Sequence, residues 1–381
     1  MTKGIYLHRP AAYIRRQVRC KSSMPSVMFS SKFDPPCEPT VRVRRAMKID
    51  AFAHVLPPRY AERVFDLLRA RGDNSAAEYE RMMGLDPTLC DLDARFQLMD
   101  ALGDDYRQVL VMAHTSVEHE APDVARELAR TGNEELAGLV ASHPDRFVGW
   151  VAQAAVQDGQ RGLDAISDAI SDGALGVQVF TSMQGRCLDH PDYEPFFELM
   201  ADLGRPIWIH PNRTVLWPDF PLTEKESKFG LYARAGWPTD TTVTMCRLAF
   251  AGYMERWPDL KIIVHHSGGT VPMLAGRLKT LQRTPDNDAV ADRLKLGPLE
   301  SLKRFYADTA NFGNPIALAA ALEFFGPEHV LFGTDFGFSV SFAPETIEDV
   351  ETVVTDEELK RMIYERNARR VLALDAAAFV H

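Results

Sequence analysis

The sequence predicts an α/β barrel of eight strand–helix units, a (β/α)8 or TIM-like fold, and three observations predict it. Short apolar runs recur eight times between residues 48 and 336. Segments of helical periodicity separate them, and such alternation builds right-handed parallel units. No glycine-rich phosphate loop follows the first run, as a doubly wound nucleotide-binding sheet would require.

The runs are KIDAF (48–52), QVLVMA (108–113), FVGWVA (147–152), ALGVQVF (174–180), PIWIHP (206–211), KIIVHHS (261–267), FYADTAN (305–311) and HVLFGTDF (329–336). Most are nearly continuous in Val, Ile, Leu and Phe, as parallel strands buried on both faces are. The first helix, Tyr60 to Arg71, sets Val64, Leu67 and Leu68 on one face. The second, LDARFQLMDAL, repeats Leu92, Phe96, Met99 and Leu102 every three or four residues. Further helices fit 122–142, 159–171, 191–203, 242–256, 271–283, 315–325 and 356–373. Two insertions are predicted as lids: residues 72–90, between the first two helices, and residues 212–241 after the fifth strand. The second carries Trp217, Phe220, Phe229, Tyr232 and Trp237. Loops of that length in a compact fold are usually functional or disordered.

With 381 residues, 46% of them hydrophobic, the chain can bury a large core. No apolar run approaches the ~18 residues that cross a bilayer, so no membrane partner is expected. Cysteines 20, 37, 90, 187 and 246 are scattered without a CxxC pair, which argues for a reducing, cytoplasmic setting and against a thiolate zinc site. Residues 1–45 hold ten Lys or Arg against two Asp or Glu, a balance of +8, so the remainder carries −18 of the total −10. The first 33 residues contain no acid, which fits an organelle transit peptide or an upstream extension before a start at Met47. A core strand directly after Met47 favours the extension. Residues 1–46 are thus read as a basic, disordered extension and 47–381 as the barrel domain. The acidic body disfavours nucleic acid.

Barrel enzymes collect their chemistry at the C-terminal strand ends. There the sequence offers His54 on strand one, His210 on strand five, His265 and His266 on strand six, Asp308 and Asn311 on strand seven, and Asp335 on strand eight. A lone strand-end histidine is more often a satisfied core residue than a ligand, and an Asp after Gly-Thr is commonly a turn former. The coincidence of His54, His210, His266 and Asp335 on one rim favours a site. Imidazole with carboxylate suits a divalent ion.

The segments IDAFAHVLPP, DARFQLMDALG, PIWIHP, VHHSGGTVPMLAGR and LFGTDF together resemble the amidohydrolase superfamily, in its branch around aminocarboxymuconate-semialdehyde decarboxylase. The resemblance covers residues 47 to about 375. It implies one divalent ion, Zn2+ with Mn2+ as the alternative, held by His54, His210 and Asp335. It implies that His266 and Asp335 are catalytic, and it raises the expectation of a homodimer. His265 falls where the family is apolar and is expected to point away from the metal. Phe52 replaces the first strand-one histidine, so one ligand is absent. Neutral Gln178 on strand four argues against a second ion.

Arg95, Arg213 and Trp237 are the candidate substrate-binding residues, with Trp217 and Tyr232 as further wall residues; an arginine fork suits a carboxylate. His114 and His190 read as structural, and His143 and His329 as belonging to the opposite rim. The leading expectation is a metal-dependent, nonoxidative carboxy-lyase for a small carboxylated, cyclic or conjugated substrate. The alternatives are a metal-dependent hydrolase of a lactone, ester or amide, and a metal-free barrel with a binding or scaffold role, which Phe52 favours.

Overall fold

The computed structural model describes residues 46–72, 77, 80–81, 86–113, 117–280, 288, 292, 294–337 and 342–374. Apart from Ala46, the expected extension therefore lies outside the described residues, as do His114 and most of the 72–90 insertion.

Two parallel sheets carry the architecture. The first contains β1 (Lys48–Val55), β2 (Tyr106–Met112) and β3 (Phe147–Trp150) in that order. The second runs β11 (Val330–Leu331), β10 (Tyr306–Asp308), β9 (Ile262–Val264), β8 (Ile207–His210), β5 (Val177–Phe180) and β4 (Ala152–Gln153). Between β5 and β8, Ser182–Met183 (β6) and Arg186–Cys187 (β7) form a small antiparallel hairpin.

Every expected strand is present, but the expected third strand is split at Val151. Its amide donates to the Leu110 carbonyl on one side (2.9 Å), whereas the next amide, Ala152, donates to Gly176 on the other (3.0 Å). At the second seam a single bridge joins Ala53 to Phe336. There Ala51 donates to Phe332 (2.9 Å) and His54 to Phe336 (2.8 Å). The ladder is thus two parallel sheets and not one closed barrel. Its eighth strand is short because side chains take over the backbone beyond Leu331: Thr309 Oγ1 donates to the Gly333 carbonyl (2.9 Å) and the Thr334 amide donates to Asp50 Oδ1 (3.1 Å).

Local signals place the flanking helices. Pro58–Arg71 starts with proline at its first position and ends at Gly72 in the left-handed region (φ 69°). The helix expected over 242–256 begins earlier, at Trp237, and ends at Phe250 before Gly252 turns the chain (φ 86°) into a short second piece. Among the described residues no helix is long and apolar enough to cross a membrane.

Strand alternation decides what faces the interior. Ile49, Ala51, Phe52, Val109, Val111, Val151, Trp208, Ile263, Tyr306 and Leu331 pack into one inner cluster. Opposite-parity residues such as Ile207, Ile262, Val264 and Ala307 join the outer layer with helix residues Leu128, Phe196 and Leu248. Two residues beyond Trp208, Ile263 and Tyr306 on the inner face stand His210, His265 and Asp308. Four beyond Leu331 stands Asp335. An apolar plug therefore gives way, at the C-terminal ends, to a polar ring.

Candidate metal centre and active site

The ring consists of His54, His210, His265 and Asp335, all buried, each offering one donor atom within 4.8 Å of the others. His54 Nδ1 faces the Met112 carbonyl (3.2 Å) and His210 Nδ1 the Pro211 carbonyl (2.6 Å). A carbonyl only accepts, so each Nδ1 carries the proton and each Nε2 keeps a lone pair for the centre. His265 Nδ1 is held by the Asp308 carboxylate, leaving its Nε2 3.0 Å from Asp335 Oδ1. His54 Nε2 lies 3.1 Å from the same oxygen. Three imidazole nitrogens and one carboxylate oxygen at such separations fit a single divalent ion bound at roughly 2.0–2.2 Å.

His265 therefore points into the ring, against the expectation that it turns away. The reason is strand parity, since it continues the inward face of Ile263. Phe52 also points inward: its ring stacks on His265 at 3.9 Å and 14°, and lies 5.6 Å from His54. Gly333 leaves room for this packing, since a Cβ there would meet Asp308 Cβ at 3.0 Å and Phe52 Cβ at 3.3 Å. Asp308 is itself fixed, because its Oδ1 accepts from the amides of Ser267 (3.0 Å) and Ala310 (3.1 Å).

His266 stands at the edge of the ring, its Nε2 3.7 Å from Asp335 Oδ2. Trp237 lies 6.1 Å from it and nearly parallel, and Phe312 lies 5.6 Å away. His266, Ser267 and Asp335 all adopt left-handed backbone (φ 56°, 54° and 58°). Each such non-glycine conformation costs about 1–3 kcal/mol and persists only where the surroundings impose it, typically at functional sites.

Charge in the ring follows from its partners. Burial disfavours an imidazolium at His265, yet Asp308 and Asp335 outweigh it and raise the ring to about 10. Burial, reinforced by charge at His265, pushes His266 down. Burial opposes charge on Asp335 too, but His265, with His266 and His54 beside it, holds its carboxyl well below the usual range.

The remaining candidates separate. Trp237 lines the ring, 5.7 Å from His210, and its Nε1 donates to the Arg213 carbonyl (2.8 Å). Arg213 is paired with Asp240 (Nη2–Oδ1 2.9 Å) and covers Trp217 at 5.6 Å. Arg95 is fully buried behind β1, donating to Gln108 Oε1 (2.8 Å), the His54 carbonyl (2.7 Å) and the Thr88 carbonyl (3.1 Å). Its guanidinium lies 4.7 Å from the Phe336 ring. The polar contacts of Arg95 thus go to the scaffold, one of them to the His54 carbonyl. Gln178 donates to the Met112 carbonyl (3.3 Å), sharing that acceptor with His54. His190 caps a turn by accepting from the Asp192 amide, and His143 and His329 precede β3 and β11, as expected. Sequence reasoning missed Phe312 and the grip of Asp308 on His265; strand parity was the signal for the second.

The family profile described as Amidohydrolase matches residues 49–374. The chain belongs to the amidohydrolase family. This amidohydrolase is 27% identical over 346 residues to a 2-amino-3-carboxymuconate-6-semialdehyde decarboxylase from Dictyostelium discoideum, covering 87% of this chain and 93% of the relative. It is 27% identical over 310 residues to a gamma-resorcylate decarboxylase from a Rhizobium species, covering 75% of this chain and 88% of the relative. Its fold matches a 5-carboxyvanillate decarboxylase from Sphingomonas paucimobilis with TM-score 0.73 and 22% identity, covering 87% of this chain and 100% of that one. It also matches a dihydroxybenzoic acid decarboxylase from a Polaromonas species, described with bound manganese, with TM-score 0.69 and 23% identity, covering 88% and 100% of the two chains. The expected family, and an enzyme of its kind, are borne out.

Proposed function

We propose that this amidohydrolase is a metal-dependent, nonoxidative carboxy-lyase acting on a small carboxylated aromatic or conjugated substrate. The observation that carries the reading is the buried imidazole–carboxylate ring with His266 at its edge, beside the nearly parallel Trp237 ring and the tilted Phe312 ring. The named activities of its relatives, decarboxylases of muconate-semialdehyde and resorcylate type, support it.

His54, His210 and Asp335 would hold the ion, with Zn2+ as the first choice and Mn2+ as the alternative. Such an ion supplies a Lewis acid that polarises a substrate oxygen. His266 and Asp335 form the catalytic pair. As the carbon–carbon bond to the carboxylate breaks, carbon dioxide leaves, the electron pair stays on the substrate carbon, and that carbon takes a proton drawn from solvent and relayed by His266 and Asp335. Trp237 and Phe312 stack against the substrate and exclude water. Arg213, half-buried and paired with Asp240, would meet a substrate carboxylate. Arg95 holds β1 so that His54 stays aimed at the ring. The domain that would carry this activity is residues 47–381, and the aromatic segment 212–241 would serve as a lid beside the ring.

The test is carbon dioxide release by the ion-loaded protein from a panel of resorcylates, 5-carboxyvanillate, 6-methylsalicylate and an aminocarboxymuconate semialdehyde. Release from at least one, abolished in His266→Ala, is the expected result. Turnover only of esters, amides or lactones, without carbon dioxide, would move the protein to the hydrolases.

A further inference from the structure

We propose that His265 is a metal ligand, supplied by β9 in place of the donor that β1 gives up at Phe52. The proposal rests on the metal reading above and concerns which side chains complete the set. Phenylalanine has no lone pair, so the first strand provides one imidazole, His54, instead of two. His265 restores the number from another direction, with its Nε2 3.0 Å from Asp335 Oδ1 and in the same donor group as His54 and His210.

Three features fix the ring in that role. Asp308 takes its Nδ1 and so presents Nε2 to the centre, the carboxylate–histidine–metal arrangement that orients and strengthens an imidazole ligand. Asp308 is anchored in turn by the Ser267 and Ala310 amides, so it cannot swing away without breaking the turn after β9. Phe52 stacks flat on the imidazole (3.9 Å, 14°), so the residue that removed a ligand now sets the plane of its replacement. His266 differs: it lies outside the donor group, and its Nε2 is 3.7 Å from Asp335 Oδ2. The two neighbouring histidines thus divide the work, His265 holding the ion and His266 facing the substrate.

Ion binding tests this without reference to turnover. The full-length protein is stripped with chelator, reloaded with Mn2+, Zn2+ or Co2+, and assayed for ion content by plasma mass spectrometry and for affinity by competition. His265→Gln is expected to weaken binding by about 100-fold or more, beyond the 10–100-fold typical of losing an outer partner. His266→Gln is expected to bind as the wild type does. Adding Phe52→His to His265→Gln returns an imidazole to β1 and should recover most of the lost affinity. The visible absorption of the cobalt-loaded protein should shift in the rescued variant, because one nitrogen then arrives from a different direction.

Wild-type affinity in His265→Gln, with loss in His54→Gln, would overturn the assignment and leave the metal reading standing. No ion uptake by the wild type after reloading would remove both. Circular dichroism checks the fold of each variant. Should His265→Gln not fold, the wild-type cobalt spectrum against that of Asp308→Asn decides: altered bands support ligation by His265, and identical bands reject it.

Discussion

Two aspartates of this fold are almost equally buried, Asp50 at 0% and Asp335 at 2% exposure, yet their carboxyls are shifted in opposite directions. Asp50 receives only neutral donors: the Phe52 and Thr334 amides (both 3.1 Å), the Thr334 hydroxyl (2.6 Å) and the Tyr106 hydroxyl. Burial dominates there and pushes its carboxyl up. Asp335 meets imidazoles, above all His265, and stays well below the usual range despite its burial. Depth is the same and partner chemistry decides. Asp50 closes a neutral network that ties β1 to β2 and to the segment after β11, whereas Asp335 keeps a negative charge in the ring.

The contrast can be broken most visibly at Asp335. Asp335→Asn should lower kcat/KM by about 10²–10⁴-fold, on the scale of losing a proton-transfer group, and should empty the ion centre. Steady-state kinetics and ion content check both. Next in size, Asp308→Asn should reduce ion affinity roughly 10–100-fold while leaving the melting temperature of chelator-treated protein close to wild type. A fall in both would make Asp308 merely structural.

Asp50→Asn should keep the ion and cost about 1–3 kcal/mol of stability, read by urea unfolding, because two hydroxyl donors lose their acceptor. The pH dependence sharpens the same point. A raised folded-state pKa means that Asp50 contributes most below its unfolded value of about 3.9 and progressively less as pH climbs beyond it. Asp335, with a lowered value, contributes above about pH 3.9 and loses that contribution as pH falls. In chelator, unfolding between pH 3 and 7 should show Asp335→Asn flattening the acid-side loss and Asp50→Asn removing the opposing slope. Smallest of all, Trp237→Ala should raise KM by roughly 2- to 10-fold with ion content unchanged, the scale of one aromatic stacking contact.

The sequence showed all eight strands because parallel strands buried on both faces leave unbroken apolar runs. It did not show the break at Val151, where neighbouring amides serve different sheets, since that depends on twist and not on composition. His54, His210 and Asp335 were legible as strand-end polar residues, and they meet as expected. His265 was misjudged because a family pattern was allowed to override alternation: Ile263 faces inward, and two residues on, His265 must do so too. Arg95 looked like a carboxylate receptor because side-chain type carries no information about depth. Phe312 gave no signal, as its left-handed backbone and its approach to His266 arise from the turn that follows β10.

The stacked pair Phe52 and His265 also constrains the order in which such a centre can be rebuilt. Changing Phe52 alone to histidine would crowd five donors around one point, and changing His265 alone would leave three. The worth of an imidazole at one position depends on what occupies the other, so the paired substitution reports more than either single one. A route that adds the β9 histidine before giving up the β1 histidine never leaves the ring short of a donor. The reverse order passes through a protein with a weakened grip on its ion.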